Sequence, residues 1–254
     1  MKILVLGDVV GNHGASYLSE KLRAFKRQND IDFTVVNGEN SAKYNGIDAY
    51  SANLLLDAGA DVITTGNHVY RIPAFNEYLD TTPFVLRPAN YPDACAGKGY
   101  GIYDCGFKRI LVINALGRIN TEPANSPFDT IDAILEKEKG NYHIAILDLH
   151  AEATSEKAAV ARYFDGRIQV VFGTHTHVQT NDARILPNGS GFITDLGMCG
   201  PVDSILGITP QIIIDRLRRQ IPHRFEFASG EIVAHGAIFT LENDMVTSVT
   251  AIKF

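Results

Sequence analysis

The sequence predicts an α/β fold, a layered sandwich with added antiparallel strands, in a single domain spanning residues 1–254. Three observations predict it. Short apolar runs alternate with helical patterns, which implies crossover units and a largely parallel sheet. Hydrophobic residues make up 45% of the chain and charged residues 20%, enough to fill a sizeable core and too apolar for wholesale disorder. From about residue 224 onward, polar and apolar residues alternate between turn signals, as in antiparallel strands.

Residues 3–6 are the first strand candidate, and Ala15, Leu18, Leu22 and Phe25 then recur at helical spacing. Residues 33–36 are the next apolar run. Asp48 suits the N-cap of a helix reaching Ala58, and Gly59 suits its left-handed end. Residues 62–65 form a third strand candidate, and residues 100–114 a hairpin around Gly106. Residues 144–149 and 168–172 are two more strands. The helix between them starts at Thr154 or Ser155, with Glu156 favourable in its first turn. Turns at Ser229-Gly230 and Asn243-Asp244 divide the last segment into antiparallel strands.

The net charge of −6 argues against sequence-independent nucleic-acid binding, which rests on Lys and Arg neutralising phosphates. An accessible phosphate can still bind where a cation supplies the positive charge. Cys95, Cys105 and Cys199 are odd in number and share no CxxC spacing, which speaks for a reducing compartment. No stretch has the length of a signal-peptide core or a membrane span. The expectation is a soluble, cytoplasmic protein that does not engage a membrane and assembles as a homo-oligomer.

In an open parallel sheet, ligands bind beyond the carboxyl ends of the strands. Gly7-Asp8 follows the first strand, and Asn37-Gly38-Glu39-Asn40 the second. Gly66-Asn67-His68 follows the third. His150 closes the fourth, and Gly173-Thr174-His175-Thr176-His177 follows the fifth. Singly, each has a plain structural reading: a cap, a turn beside glycine, a buried ring. Together they put four of the eight histidines at strand ends, alongside two carboxylates and two carboxamides, and one metal cluster explains all of them. His175 and His177 stand two apart, so in extended backbone they point the same way. Two cations about 3.5–4 Å apart repel each other, and a bridging carboxylate offsets that repulsion. Glu39 is the candidate bridge. Carboxylate, amide and imidazole donors without thiolate suit Fe, Mn, Co or Zn and are too nitrogen-rich for Ca²⁺ or an ordinary Mg²⁺ site.

These strings, with "RPAN", "HAEATSEK", "GTHTHVQT" and "GMCGPVDSILG", resemble the calcineurin-like dinuclear metallophosphoesterases, and within them the YmdB-like phosphodiesterase branch. The specific motifs run from Met1 to about Leu206 and are looser beyond. The resemblance implies an α-β-β-α sandwich with mixed sheets. It also implies two transition-metal ions, Fe or Mn foremost. One would be held by Asp8, Glu39, Asn40 and His177, the other by Glu39, Asn67, His150 and His175. Asp8 is followed by Val9-Val10 where the wider superfamily has Asp-x-His, and in this branch Asn40 takes the vacant place. Tyr70-Arg71 departs from the Trp-Asp associated with the branch and bears on substrate preference.

The expected reaction is phosphodiester hydrolysis by a hydroxide formed on the metal pair. His68, next to Asn67, is the expected general acid on the leaving oxygen. The resemblance points to 2′,3′-cyclic and 3′,5′-cyclic nucleotides as substrates, with RNA as a further class. Glu152 and Asp182 are candidates to orient the metal-binding histidines. His13, Arg87 and Arg118 stay outside the site, and His143, His223 and His235 read as structural or exposed. A regulatory scaffold that signals through a partner is the main alternative, beside a phosphatase acting on another phosphoester. A scaffold has no chemical need for His68. A dinuclear amidohydrolase would place its His-x-His after the first strand, where this chain has Asp8-Val9-Val10.

Overall fold

The computed structural model describes residues 1–254. In chain order the elements are β1 (Lys2–Leu6), β2 (Asp8–Val9), α1 (Gly11–Asn29), β3 (Phe33–Asn37), α2 (Ala49–Ala58), β4 (Val62–Thr64), α3 (Phe75–Thr81), β5 (Val85–Leu86), β6 (Tyr100–Cys105) and β7 (Lys108–Leu116). There follow α4 (Pro127–Lys137), β8 (Ile144–His150), α5 (Thr154–Tyr163), β9 (Val170–Thr174), β10 (Arg184–Ile185), β11 (Gly191–Ile193), β12 (Met198–Pro201), α6 (Pro210–Arg219), β13 (Ile232–Glu242) and β14 (Met245–Lys253).

Side chains on a strand alternate between its two faces, and here both faces are buried. Ile3 and Val5 of β1 face the same apolar layer as Val35, Ile110, Val112, Ile146 and Phe172. Leu4 and Leu6 face the other way, onto Ala15, Leu18 and Leu22 of α1 and Leu55 of α2. On the far side, Leu111, Leu147 and Val171 meet Ile131 of α4 and Val160 of α5. Three apolar layers therefore separate four structural ones, and the sandwich is α-β-β-α. Double burial is also why these strands read as largely apolar runs.

The first sheet has the order β2-β12-β13-β1-β3-β4-β5, with β14 paired to β13. β1, β3, β4 and β5 are parallel, and β13 is antiparallel to both β1 and β14. The second sheet has the order β10-β11-β9-β8-β7-β6, parallel across β11, β9, β8 and β7 with antiparallel edges. Both sheets are mixed, as expected. Asp48 caps α2 by accepting from the Ser51 N–H at 2.7 Å, and Gly59 ends it at φ 108°. Asn243 and Asp244, both at positive φ, turn β13 into β14, the backbone that a two-residue hairpin requires.

One expectation fails. The strand pattern from residue 224 does not produce a strand there; β13 begins at Ile232, and the preceding segment carries only an isolated bridge between Phe227 and Ile208. The alternation before Ser229 instead places Phe225 and Phe227 on one wall of a cavity. No helix is long and apolar enough to cross a membrane. The three cysteines are free thiols.

Candidate active site

The carboxyl ends of β1, β3, β4, β8 and β9 converge on one edge of the sandwich, where Asp8, Glu39 and His150 are at most 1% exposed. Asp8 Oδ2 accepts from the His175 N–H at 3.0 Å, and Glu39 Oε1 accepts from the His68 N–H at 2.6 Å. The remaining oxygens, Asp8 Oδ1 and Glu39 Oε2, are buried without a partner. Gly66 is needed here, because a Cβ at that position would lie 2.2 Å from the His150 ring.

Two of the imidazoles around these carboxylates, His150 and His177, commit their outer N–H to an acceptor. Thr174 Oγ1 gives its own hydrogen to Asp148 Oδ1 at 2.7 Å, so at 2.9 Å it accepts from His150 Nδ1. The Leu206 carbonyl can only accept, and takes the His177 Nδ1–H at 3.0 Å. Glu152 Oε2 stands 3.1 Å from His175 Nε2. The inner nitrogens of His150 and His177 are thereby left as lone pairs. His150 Nε2 faces His175 Nδ1 at 3.1 Å, Glu39 Oε1 at 3.5 Å and Asn67 Oδ1 at 3.2 Å. Asn67 turns its oxygen inward because its Nδ2 donates to Glu122 Oε1 at 3.1 Å. His177 Nε2 lies 3.7 Å from Asp8 Oδ1 and 3.4 Å from Asn40 Nδ2.

Burial raises the pKa of Asp8 and pushes that of Glu39 well above the usual carboxylate range. Burial likewise drives His150 well below an ordinary imidazole. His68 is pushed down to about 4, by burial and then by the Arg71 cation. These rings are neutral at pH 7, so their approaches to Asp8 and Glu39 are not ion pairs. His68 Nδ1 stands 2.8 Å from Asn40 Oδ1 and 3.3 Å from Glu39 Oε1.

All eight residues singled out in the sequence, Asp8, Glu39, Asn40, Asn67, His68, His150, His175 and His177, meet in this cluster. One premise about them is wrong. His175 and His177 do not lie on extended backbone; their φ values are 102° and 64°, and a left-handed turn aims both rings inward. Such angles are uncommon for residues other than glycine and concentrate at functional sites. Glu152 lies beside a histidine, its Oε2 3.1 Å from His175 Nε2. Asp182 does not: it bonds Thr180, Thr194 and Arg184 instead.

A buried network beneath the cluster escaped the sequence reading. Asp148 accepts from Asn37 Nδ2 at 2.9 Å, Thr64 Oγ1 at 2.5 Å and Thr174 Oγ1, tying three strand ends together. Burial still lifts its pKa to about 7. A charged residue inside the apolar run Ile144–His150 was the available signal. The Lys157–Asp195 pair, 2.6 Å apart and buried, is a second such support, with Asp195 Oδ2 accepting from the Thr176 N–H at 3.1 Å.

This donor set fits cations. Two orphaned carboxylate oxygens, the lone pairs of His150 and His177 and the Asn67 oxygen share one buried space, and no hydrogen bond reaches either carboxylate oxygen. Their mutual repulsion is relieved by positive charge. Ligands on one ion at bonds of about 2.1 Å stand roughly 3–4 Å apart, the range of separations seen here. The side chains contact one another, and no group of three or more His, Cys, Asp and Glu side chains is preset around a common centre.

The model of a family described as YmdB-like protein matches residues 4–252. The chain is 39% identical to the 2′,3′-cyclic-nucleotide 2′-phosphodiesterase of Bacillus subtilis, over 98% of this chain and 94% of that protein. A solved structure of a hypothetical protein from Thermus thermophilus superimposes with a TM-score of 0.94 at 35% identity, covering 100% of this chain and 99% of the other. A structure described as a novel phosphatase from Mycoplasma pneumoniae gives a TM-score of 0.92 at 30% identity, covering 100% of this chain and 93% of the other.

Proposed function

The chain belongs to the YmdB-like protein family and is a hydrolytic enzyme, and from that premise we propose that it is a metal-dependent phosphodiesterase that opens 2′,3′-cyclic nucleotides. Water adds to phosphorus, the bond from phosphorus to one ribose oxygen breaks, and that oxygen leaves as a hydroxyl. The observation that carries this reading is the buried convergence of the partnerless Asp8 Oδ1 and Glu39 Oε2 with the lone pairs of His150 and His177. The 2′,3′-cyclic ester comes from the B. subtilis relative; 3′,5′-cyclic nucleotides and RNA ends are further substrates to assay.

One cation would be held by Asp8, Glu39, Asn40 and His177, the other by Glu39, Asn67, His150 and His175. Bound there, iron or manganese would draw charge from the phosphoryl oxygens and acidify a water near neutral pH. Everything else falls to the protein. Thr174 and Leu206 hold the His150 and His177 rings in the tautomers that leave their inner nitrogens free, and Glu152 lies beside His175 Nε2. Asn40 offers Nδ2 toward His177 and Oδ1 toward His68, and an amide keeps its shape when those atoms exchange. Turned, Asn40 would present oxygen to a cation. As it stands, its Oδ1 takes the His68 Nδ1–H and leaves Nε2 as the atom that would gain a proton and pass it to the leaving oxygen.

His68, held neutral when the site is free, serves as the proton donor once the charge of a bound phosphodiester raises its affinity for a proton. The test is turnover of 2′,3′-cyclic AMP with Mn²⁺ or Fe²⁺ by wild type, Glu39→Gln and His68→Ala, beside elemental analysis of protein purified without chelator. About two transition-metal ions per chain and an active wild type are expected. Three equally inert proteins that still bind metal would establish the regulatory scaffold instead.

A further inference from the structure

A cavity of about 390 Å³ opens directly from the donor cluster, and its two sides differ in chemistry. On one side stand Glu39, Asn40, His68, His175 and His177. On the other stand Tyr44, Ile205, Ile208, Ile213, Phe225 and Phe227. Its size suits a small organic molecule, for which sites span about 300–1,000 Å³. A phosphate at the cluster would leave the apolar side for whatever the phosphate carries.

That apolar side is built. Phe227 packs over Gly11, where a Cβ would lie 2.7 Å from the ring. Backbone bonds from Thr209 N to Glu226 O at 3.0 Å and from Ala228 N to Gly207 O at 2.9 Å lace the 205–209 turn to the 226–228 segment. Ile208 bridges Phe227 and Ile205. Yet the face toward the cavity is uncovered: Tyr44 is 61% and Phe225 42% exposed. The Arg216 guanidinium lies 4.7 Å from the Phe225 ring centroid, and that of Arg224 4.8 Å from the Tyr44 ring centroid. These two positive charges stand beside rings of the apolar side, on an otherwise acidic protein.

We propose that this wall is a nucleobase subsite, with the base against Ile208, Phe225 and Phe227 while the phosphodiester sits at the cluster. The proposal rests on the phosphodiesterase reading above and adds to it the moiety that is gripped. The wall gives the base a surface to lie on and few hydrogen-bonding groups. Stacking of this kind requires a base and is indifferent to which one, because every base has a π face.

The experiment compares wild-type kcat and KM on the four 2′,3′-cyclic nucleotides with those on 1-O-methylribose 2′,3′-cyclic phosphate, which has the same reacting ester and no base. The expected result is kcat/KM within about 10-fold among the four bases, and KM at least about 10-fold higher without a base. Phe225→Ala and, separately, Ile208→Ala should raise KM for the nucleotides about 5- to 20-fold and leave the base-free ester unchanged. Unaltered melting midpoints would certify the fold of both variants. Equal wild-type kcat/KM for the nucleotides and the base-free ester would overturn the subsite while leaving the phosphodiesterase reading intact. Metal-loaded wild type inert on all five esters would instead remove the reading on which the subsite rests.

Discussion

Asp8, Glu39 and His150 are almost wholly buried at the ends of sheet strands, whereas Tyr44, Phe225 and Leu217 are 61%, 42% and 77% exposed on turns and beside α6. The helix α6 buries none of its residues. One side of the cavity is thus held by two sheets and a hydrogen-bonded network under them, and the other by a few backbone bonds along a surface segment. A substitution in the first removes chemistry. One in the second changes what is gripped, and how tightly.

The largest contrast is expected from Glu39→Gln. It should lower kcat/KM on the order of 10³-fold or more in steady-state assays, because the shared cation ligand is lost. Metal-free protein should melt no lower than wild type, since a buried carboxylate beside Asp8 is gone. A clear loss of metal-free stability would show that Glu39 is needed for the fold as well as the chemistry. His68→Ala follows, with a loss of about 10²- to 10³-fold for alkoxide leaving groups and less than about 10-fold for nitrophenolate ones. Equal losses on both would remove its proton-donor role.

Cation loading probes the buried side as a whole. Mn²⁺ at about 100 times its dissociation constant should stabilise the protein by roughly 2.7 kcal/mol in thermal melts. Burial raises the pKa of Asp8 and Glu39, so the proton competes with the cation more strongly than at free carboxylates, and the apparent affinity for Mn²⁺ in metal titrations should weaken as pH falls. Asp148→Asn should cost about 1–3 kcal/mol in urea unfolding, since an amide cannot accept all three hydrogen bonds. It also separates two opposite pH dependences. Asp148, raised from 3.8 to about 7, binds more protons folded than unfolded in that window, so its contribution falls as pH rises through it. His68, lowered from 6.5 to about 4, binds fewer, so stability falls as pH drops from about 6.5 to 4. In metal-free Asp148→Asn only the second should remain of these two. The smallest effect belongs to the wall, where Phe225→Ala changes KM alone.

The same contrast explains what could be read from the chain. β1, β3, β4, β8 and β9 are largely apolar runs because both faces are buried, Asp148 in β8 being the charged exception, and the polar residues at their ends stand out. β2 and β10 are two residues each and β11 three, too short for any period to register. The inward aim of His175 and His177 depends on backbone angles that spacing does not reveal. Asn37, Thr64 and Thr174 pass as ordinary strand-end residues until the fold brings them to Asp148. The segment before β13 alternates like a strand because a cavity wall also needs every second side chain on one side.

The Leu206 carbonyl that fixes the His177 ring belongs to the turn that carries Ile205 and Ile208. Redesign of that turn for a bulkier or more polar guest therefore disturbs an imidazole on the opposite bank. The two sides of the cavity are thus not free to change independently of one another.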